Sequence, residues 1–170
     1  MPGSKPEELS LLEEIRLLSI PETDWSWLAC AIDGEGNIKV YHARGHYYQA
    51  SFRIFNTNRS FIEKAASLTL ENVKGKSGDT PLRTKTCWYI QVARVHKLLY
   101  ILKKVLPYLI IKKRLAELVI RFCEVRIGNV HYTGDEEEIA KECVKAMAEC
   151  RSKQNRYTKK EVGISVPIGV

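Results

Sequence analysis

The chain has 170 residues, of which 45% are hydrophobic and 28% are charged, and its 27 Lys and Arg residues exceed its 20 Asp and Glu residues to give a net charge of +7. This length suits one domain, residues 1–170, and the composition excludes disordered and fibrous classes. The sequence contains no membrane span, and its first ten residues lack the layout of a secretory signal or a transit peptide. We expect an intracellular protein, cytoplasmic or organellar, that stays out of membranes and binds an anionic partner.

The cysteines and histidines do not indicate a structural metal site. Five cysteines and four histidines are spread along the chain without a CxxC pair or a cluster that has zinc-ligand spacing. The odd number of cysteines fits reduced, buried thiols better than a disulfide framework.

The first part of the chain has the periodicity of a helix. Apolar and acidic residues alternate at helical spacing over residues 6–18. A second helix is expected over residues 25–33, where Thr23 or Asp24 can cap its start and the glycines at 34 and 36 stop it.

Later helices and three strands follow in an order that is typical of an α+β domain with an antiparallel sheet. Asn58 can cap a helix to about residue 71, and Thr133 with Glu136 forms a capping box for the last helix. The further helices are expected at about residues 96–106, 110–126 and 135–154, and the strands at 37–44, 47–55 and 82–93.

One face of the predicted sheet is apolar, and the opposite face carries cationic, amide and tyrosine side chains. Strand side chains alternate, so the apolar set packs on helices while the polar set shares one surface. Amide and guanidinium groups can bond base edges, and Lys and Arg offset phosphate charge, which favours a nucleic acid as the partner. The candidate DNA-binding residues are Asn37, Lys39, Tyr41, Arg44, Tyr47, Gln49, Ser51, Arg53, Arg83, Lys85, Tyr89 and Gln91.

The segment at residues 28–36, LACAIDGEG, resembles the signature of the LAGLIDADG homing endonucleases. Glu35 stands where the family has its second aspartate, and Cys30 replaces the usual glycine. Asn56 at the end of the second strand and the segment 107–113, PYLIIKK, resemble further elements of the family.

The resemblance in element order covers about residues 20–127. It implies an α+β fold in which helices back a saddle of four antiparallel strands. The helices at 6–18 and 135–154 are then extensions at either end of this core.

A single motif in a chain of this size resembles the homodimeric members of the family, because two-motif members carry both copies in one longer chain. The motif helices would pack across a two-fold axis, and the DNA target would be pseudo-palindromic. Asp33 is expected to cap or orient the end of the helix. The implied interface residues are Leu28, Ala29, Cys30, Ala31, Ile32 and Asp33.

The same resemblance implies divalent-metal chemistry. Glu35 of each subunit would hold Mg²⁺, for which Mn²⁺ can substitute, with help from the Gly34 carbonyl and the scissile phosphates. Lys112 matches the catalytic basic residue, and Asn56 matches a polar residue that orients solvent. The implied activity is a staggered double-strand cut in a long DNA site, made by an intron-encoded enzyme.

Two other functions remain open. An RNA maturase or a non-cleaving DNA-binding regulator could use the same scaffold, and the departures at Glu35 and Cys30 favour it. The joint presence of Glu35, Lys112 and Asn56 argues for catalysis instead. In a third interpretation the motif match is accidental, and the chain is a monomeric, basic RNA-binding domain.

Overall fold

The computed structural model describes residues 7–43, 47–76, 86–128 and 134–161. None of the helices in this part of the chain combines enough length and hydrophobicity to cross a bilayer. The elements in chain order are α1 (Leu11–Leu18), α2 (Glu22–Glu35), β1 (Gly36–His42), β2 (Tyr48–Asn56), α3 (Arg59–Thr69), β3 (Lys74–Lys76), β4 (Cys87–Val92), α4 (Val95–Val105), a 3₁₀ turn (Leu106–Tyr108), α5 (Lys113–Gly128) and α6 (Gly134–Glu161).

The four strands form one antiparallel sheet in the order β1-β2-β4-β3. In the hairpin of β1 and β2, Gly36 pairs with Ile54 and His42 pairs with Tyr48. The predicted α+β class, the antiparallel sheet and the first two strands are therefore confirmed.

The helices pack on one face of this sheet and bury it. Burial of each large aliphatic side chain there contributes about 2 kcal/mol. From α2, Leu28, Ala29 and Ile32 are buried against the sheet. The sheet residues that face them, none more than 2% exposed, are Ile38, Val40, Ala50, Phe52, Ile54, Ile90 and Val92.

The third predicted strand corresponds to β4, and the structure adds a further strand, β3. β4 occupies residues 87–92 of the predicted 82–93, and residues 82–85 lie outside the described residues. β3 has the sequence Lys-Gly-Lys and lies before the predicted limits of that strand. A Cβ at Gly75 would lie 2.9 Å from the ring of Trp88, so the glycine allows this close pairing.

α2 starts and stops outside its predicted limits. It begins directly after Pro21, whose ring fixes φ at −68°, rather than after a cap at residue 23 or 24. It continues through Gly34, which was expected to stop it, as far as Glu35. Gly36 ends it, since a Cβ there would lie 2.5 Å from a carbonyl oxygen of the preceding turn.

Capping explains the limits of other helices. α1 begins at residue 11 instead of 6, because Ser10 and Glu13 form a capping box. The predicted cap of α3 is confirmed, since the Asn58 side chain accepts a hydrogen bond from the Phe61 N–H. α6 extends past its predicted end at 154 to residue 161, and Thr133 lies outside the described residues.

Ion pairs attach α1 to the start of α4. Glu13 accepts a hydrogen bond of 2.6 Å from Arg94 and lies 3.3 Å from the ammonium group of Lys97. Lys97 is only 3% exposed and also contacts Glu71 at 2.9 Å. The Arg94 guanidinium, followed by a backbone bond from Ser10 and the Lys97 bond, lowers the pKa of Glu13 to about 2 despite partial desolvation.

Replacement Glu13→Gln tests this attachment through its pH dependence. At pH 7 the variant should be less stable than the parent chain by about 2 kcal/mol, because charge-assisted bonds are lost. The carboxylate's contribution is present above its usual pKa of 4.5 and is lost as the pH falls towards about 2, so the difference should shrink over that range. Urea unfolding at several pH values measures it.

The control is Glu14→Gln, which removes the same charge at an exposed neighbouring position. It should change the unfolding free energy by less than about 0.5 kcal/mol. A stability difference for Glu13→Gln that is the same at pH 7 and at pH 2 would contradict the ionic origin of the attachment.

Candidate functional site

The C-terminal end of α2 exposes a carboxylate where the helix meets the sheet. Glu35 is the last residue of α2, and Gly36 directly begins β1. Its side chain is exposed and makes no hydrogen bond or ion pair to another described residue. The helix dipole adds partial negative charge at this end, so the position favours a cation.

Asp33 fixes this helix end to the segment that leads into α5. Its carboxylate accepts hydrogen bonds from the backbone N–H groups of Ile110 at 2.7 Å, Ile111 at 3.1 Å and Lys112 at 2.9 Å. Bonds to a charged acceptor are stronger than neutral ones, and here one carboxylate satisfies three donors. Asp33 therefore attaches the 110–112 segment to the end of α2 and does not cap its own helix.

Lys112 completes the contact from the other side. Its ammonium group donates to the carbonyl oxygen of Ile32 at 2.9 Å and also to that of Asp33. A cation at a helix C-terminus is favoured by the dipole, and here it adds a bond to the Ile32 carbonyl, which already accepts from the Gly36 N–H at the helix end. The structure therefore brings Lys112 to the helix end that carries Glu35.

Asn56 is the last residue of β2, two positions beyond the residue that pairs with Gly36. It therefore lies at the open end of the β1–β2 hairpin, where α2 leads into β1. Its side-chain oxygen accepts a hydrogen bond of 2.8 Å from the backbone N–H of Asn58, and this bond shapes the turn into α3. The contact gives Asn56 a local structural role.

Most of the predicted interface residues are internal. Leu28, Ala29, Ala31 and Ile32 are at most 5% exposed within the chain itself, so they have almost no surface for a partner, and this part of the prediction is wrong. The side of α2 that remains open consists of Thr23, Ser26, Cys30 and Gly34, which are at least partly exposed and three or four residues apart.

The outer face of the sheet carries the predicted polar surface. Asn37 and Gln49 are exposed, and partly exposed members of the set are Lys39, Tyr41, Tyr47, Arg53, Tyr89 and Gln91. Arg44, Arg83 and Lys85 lie outside the described residues.

Ser51 does not contribute to this surface, which corrects its prediction. The residue is 0% exposed and lies in the middle of β2, a central strand with a neighbour on each side. Lys74 and Lys76 were missed. They pair with Tyr89 and Cys87 and so share the outer face of the sheet. The two lysines are two residues apart, and this spacing, which places both side chains on one face of a strand, could have identified them in the sequence.

The residues at the end of α2 fit a hard cation incompletely. One exposed carboxylate and a neighbouring backbone carbonyl are oxygen ligands of the type that Mg²⁺ prefers. Within the described residues no group of three His, Cys, Asp or Glu side chains could hold a metal ion. Further ligands would have to come from solvent, substrate or a second chain.

Replacement Asp33→Asn tests the connection between α2 and the 110–112 segment. An amide keeps one acceptor oxygen but loses the charge, so the unfolding free energy should fall by about 2–3 kcal/mol. Asp24→Asn on the same helix is the control, because the Asp24–Lys64 contact of 3.3 Å is an ordinary surface ion pair. It should cost less than about 1 kcal/mol in the same denaturant titration. Equal effects of the two substitutions would contradict the special role of Asp33.

No protein-family model and no curated protein sequence matches the chain. Its structure resembles those of homing endonucleases. I-CvuI, solved with its target in the presence of calcium, aligns with a TM-score of 0.51 and 18% identity over 75% of this chain and 96% of that chain. The archaeal intron-encoded homing endonuclease I-Vdi141I, solved with DNA, aligns with a TM-score of 0.59 and 20% identity over 73% of this chain and 84% of that chain.

A third similar structure is the LAGLIDADG meganuclease I-AabMI bound to uncleaved DNA. It aligns with a TM-score of 0.55 and 18% identity over 69% of this chain but only 42% of that longer chain. The architecture expected from residues 28–36 is therefore confirmed. The chain has the fold of the LAGLIDADG homing endonucleases, in which helices back a four-stranded antiparallel sheet.

Proposed function

We propose that the chain is a site-specific DNA endonuclease that acts as a homodimer. It makes a staggered double-strand cut in a long pseudo-palindromic site by hydrolysis that depends on a divalent metal. An intron-encoded origin and a role in intron homing fit this activity. The observation that carries the proposal is the exposed Glu35 carboxylate, fixed at the end of α2 and directly continuous with a cationic sheet face.

Electrostatics supports a metal at this end. Next to a polyanion such as DNA, an uncompensated carboxylate is unfavourable unless a cation lies between the two. Glu35 and the Gly34 carbonyl would hold Mg²⁺, or Mn²⁺ in its place. When bound, such an ion supplies an activated water and neutralises charge on the leaving 3′-oxygen.

The chain's own groups have separate tasks in this proposal. Asp33 and Lys112 keep the end of α2 at a fixed position relative to the sheet. Lys112 also places a positive charge near the site where phosphate charge increases in the transition state. Asn56 orients solvent at the end of β2.

Dimerisation through the open side of α2 would complete the site. Small residues at Cys30 and Gly34 allow two such helices to approach closely, and two-fold symmetry would place one Glu35 from each chain near the axis. The second chain would then add a carboxylate to that of the first, and water and phosphate oxygens would fill the remaining positions around Mg²⁺.

The dimensions of the sheet fit a long DNA site. β2 has nine residues and spans about 30 Å, close to the rise of nine base pairs in B-DNA. Two sheets with an uncontacted centre would cover on the order of 20 base pairs, and the major groove admits a β-ribbon.

A non-cleaving binding protein, either an RNA maturase or a DNA regulator, is the second candidate. It is favoured by the contacts of Lys112, since donation to two carbonyl groups of α2 explains this lysine without catalysis. The proposal and this alternative differ in what Glu35 does.

Replacement Glu35→Gln separates the two candidates. If the carboxylate holds the metal, cleavage of a plasmid that carries the target should fall at least a hundredfold, on the order expected for loss of a metal ligand. DNA affinity and the unfolding free energy should change little, because the side chain is exposed. Glu117→Gln on α5, also exposed, is the control and should cleave normally. Full cleavage by Glu35→Gln would refute the proposal, and a parent chain that binds without cutting would favour the second candidate.

Replacement Gly34→Leu tests the homodimer. Within one chain a Cβ at Gly34 would meet nothing within 4 Å, so the monomer should tolerate the leucine and gain about 1 kcal/mol of helix propensity. Packing of α2 against its symmetry mate would be blocked, so sedimentation equilibrium should show at least tenfold weaker association.

Gly128→Leu is the matched control, because Gly128 is also helical, exposed and free of neighbours within 4 Å of an added Cβ. Its dimer should be unchanged. A Gly34→Leu dimer as stable as the parent would rule out the proposed interface.

Replacement Lys74→Met tests the electrostatic contribution of β3. If this exposed lysine neutralises a phosphate, the slope of log K against log salt should fall by about 1. Lys104→Met, on α4 and away from the outer sheet face, removes the same charge and should leave the slope unchanged. Fluorescence anisotropy at several salt concentrations gives both slopes, and equal slopes for the two variants would place the DNA elsewhere.

A further inference from the structure

Two cross-strand pairs of β2 and β4 stand next to each other on the outer sheet face. Arg53 pairs with Gln91, and Phe55 pairs with Tyr89. All four side chains are partly exposed. Because Ile54 pairs with Gly36, this group lies at the end of the sheet where Glu35 meets β1. We call these four residues the reading cluster.

The Arg53 guanidinium is held in one orientation by its neighbours. Its Nε donates a hydrogen bond of 2.8 Å to the side-chain oxygen of Gln91, and its Cζ lies 6.0 Å from the centre of the Tyr89 ring. Within the described part of the chain, only Nε of this guanidinium makes a hydrogen bond, so the two terminal nitrogens of the fork can meet a ligand. An arginine that is fixed in advance loses less side-chain entropy on binding.

A two-pronged planar donor matches one base edge better than any other. Guanine presents O6 and N7 as adjacent acceptors in the major groove, and arginine bonds them with both prongs. Adenine offers a donor in place of O6, and the pyrimidines lack the second acceptor. A single phosphate can also accept both prongs, but such a contact would not discriminate between bases.

The aromatic pair forms an apolar surface beside this fork. The rings of Phe55 and Tyr89 stack with centres 5.5 Å apart and planes at 29°. Most base edges are polar and make no favourable contact with such a surface. The methyl group of thymine is apolar and projects into the major groove, so it fits there.

The spacing of the two pairs matches the spacing of bases. Residues two apart on a strand are separated by about 6.8 Å, which equals about two base-pair steps. Phe55 is the member nearer to Glu35, so its base would lie nearer to the cut.

We propose that the reading cluster sets two positions of each half-site: Arg53 specifies a guanine, and the Phe55–Tyr89 pair specifies a thymine two base pairs nearer to the cut. This inference rests on the proposed DNA-binding function and adds the bases that the site must contain. It makes Arg53 a specificity residue rather than a general phosphate contact.

The experiment selects tight binders from a random duplex library in Ca²⁺, using the full chain. For the parent chain, the selected sequences should contain guanine with thymine two positions inward in both half-sites. Arg53→Lys keeps the charge and removes the fork, so it should lose the guanine preference at that one position by about tenfold to a hundredfold. All other positions should stay as they are.

Arg59→Lys is the matched control, because Arg59 also stacks on an aromatic ring, that of Trp88 at 4.8 Å, but lies on α3. It should leave the selected sequence unchanged. Deoxyuridine in place of the thymine removes only the methyl group and should weaken binding of the parent chain more than that of Phe55→Ala.

The results of this experiment distinguish a failure of the base assignment from a failure of the proposed endonuclease function. Guanine that is still selected by Arg53→Lys, or a loss of affinity spread evenly over all sequences, would overturn the inference and leave the endonuclease proposal standing. A parent chain that selects no sequence would overturn both.

Discussion

The contact between the end of α2 and the segment before α5 determines the geometry of the whole candidate site. In one direction the Asp33 carboxylate accepts three backbone N–H groups, and in the other the Lys112 ammonium donates to two carbonyl groups. The Asp33 carboxylate therefore satisfies N–H groups ahead of α5, and the Lys112 ammonium places a positive charge on the carbonyl end of α2. The exchange fixes the position of Glu35 without engaging its carboxylate.

In the proposed endonuclease, this arrangement would join DNA binding and cleavage through a very short stretch of chain. Glu35 ends the helix, Gly36 starts β1, and the paired strand β2 carries Arg53 and Phe55 on the outer face. A base that contacts the sheet is thereby held at a defined distance from the carboxylate. Rigid elements position reacting groups more precisely than loops do, which is what a cut at one fixed phosphate requires.

Periodicity in the sequence predicted the parts that depend on burial. The alternation in β1 and β2 identified both faces of the sheet, because apolar side chains there have only one place to be buried. Position within the assembled fold could not be predicted in the same way. Ser51 has the parity of a surface residue but is buried in a central strand, and the pairing of β3 brings Gly75 against the ring of Trp88.

The motif helix shows the same limit. Its small and aliphatic residues indicate close packing, but the sequence does not say which neighbour each one meets. The structure assigns Ala29 and Ala31 to the chain's own core and leaves Cys30 and Gly34 on the open side. The resemblance of residues 107–113 to a family element identified Lys112 in the same way. Its bonds to α2 could not be predicted from the sequence, because they join residues that only the fold brings together.

A crystal structure of the protein with duplex DNA and Mn²⁺, with anomalous diffraction to locate the metal, tests most directly whether the end of α2 holds a catalytic ion. We expect a manganese peak within coordination distance of the Glu35 carboxylates of two chains and of a scissile phosphate, with the Asp33 and Lys112 contacts intact. A complex in which both Glu35 side chains face only water, and manganese binds elsewhere or not at all, would contradict the proposed site.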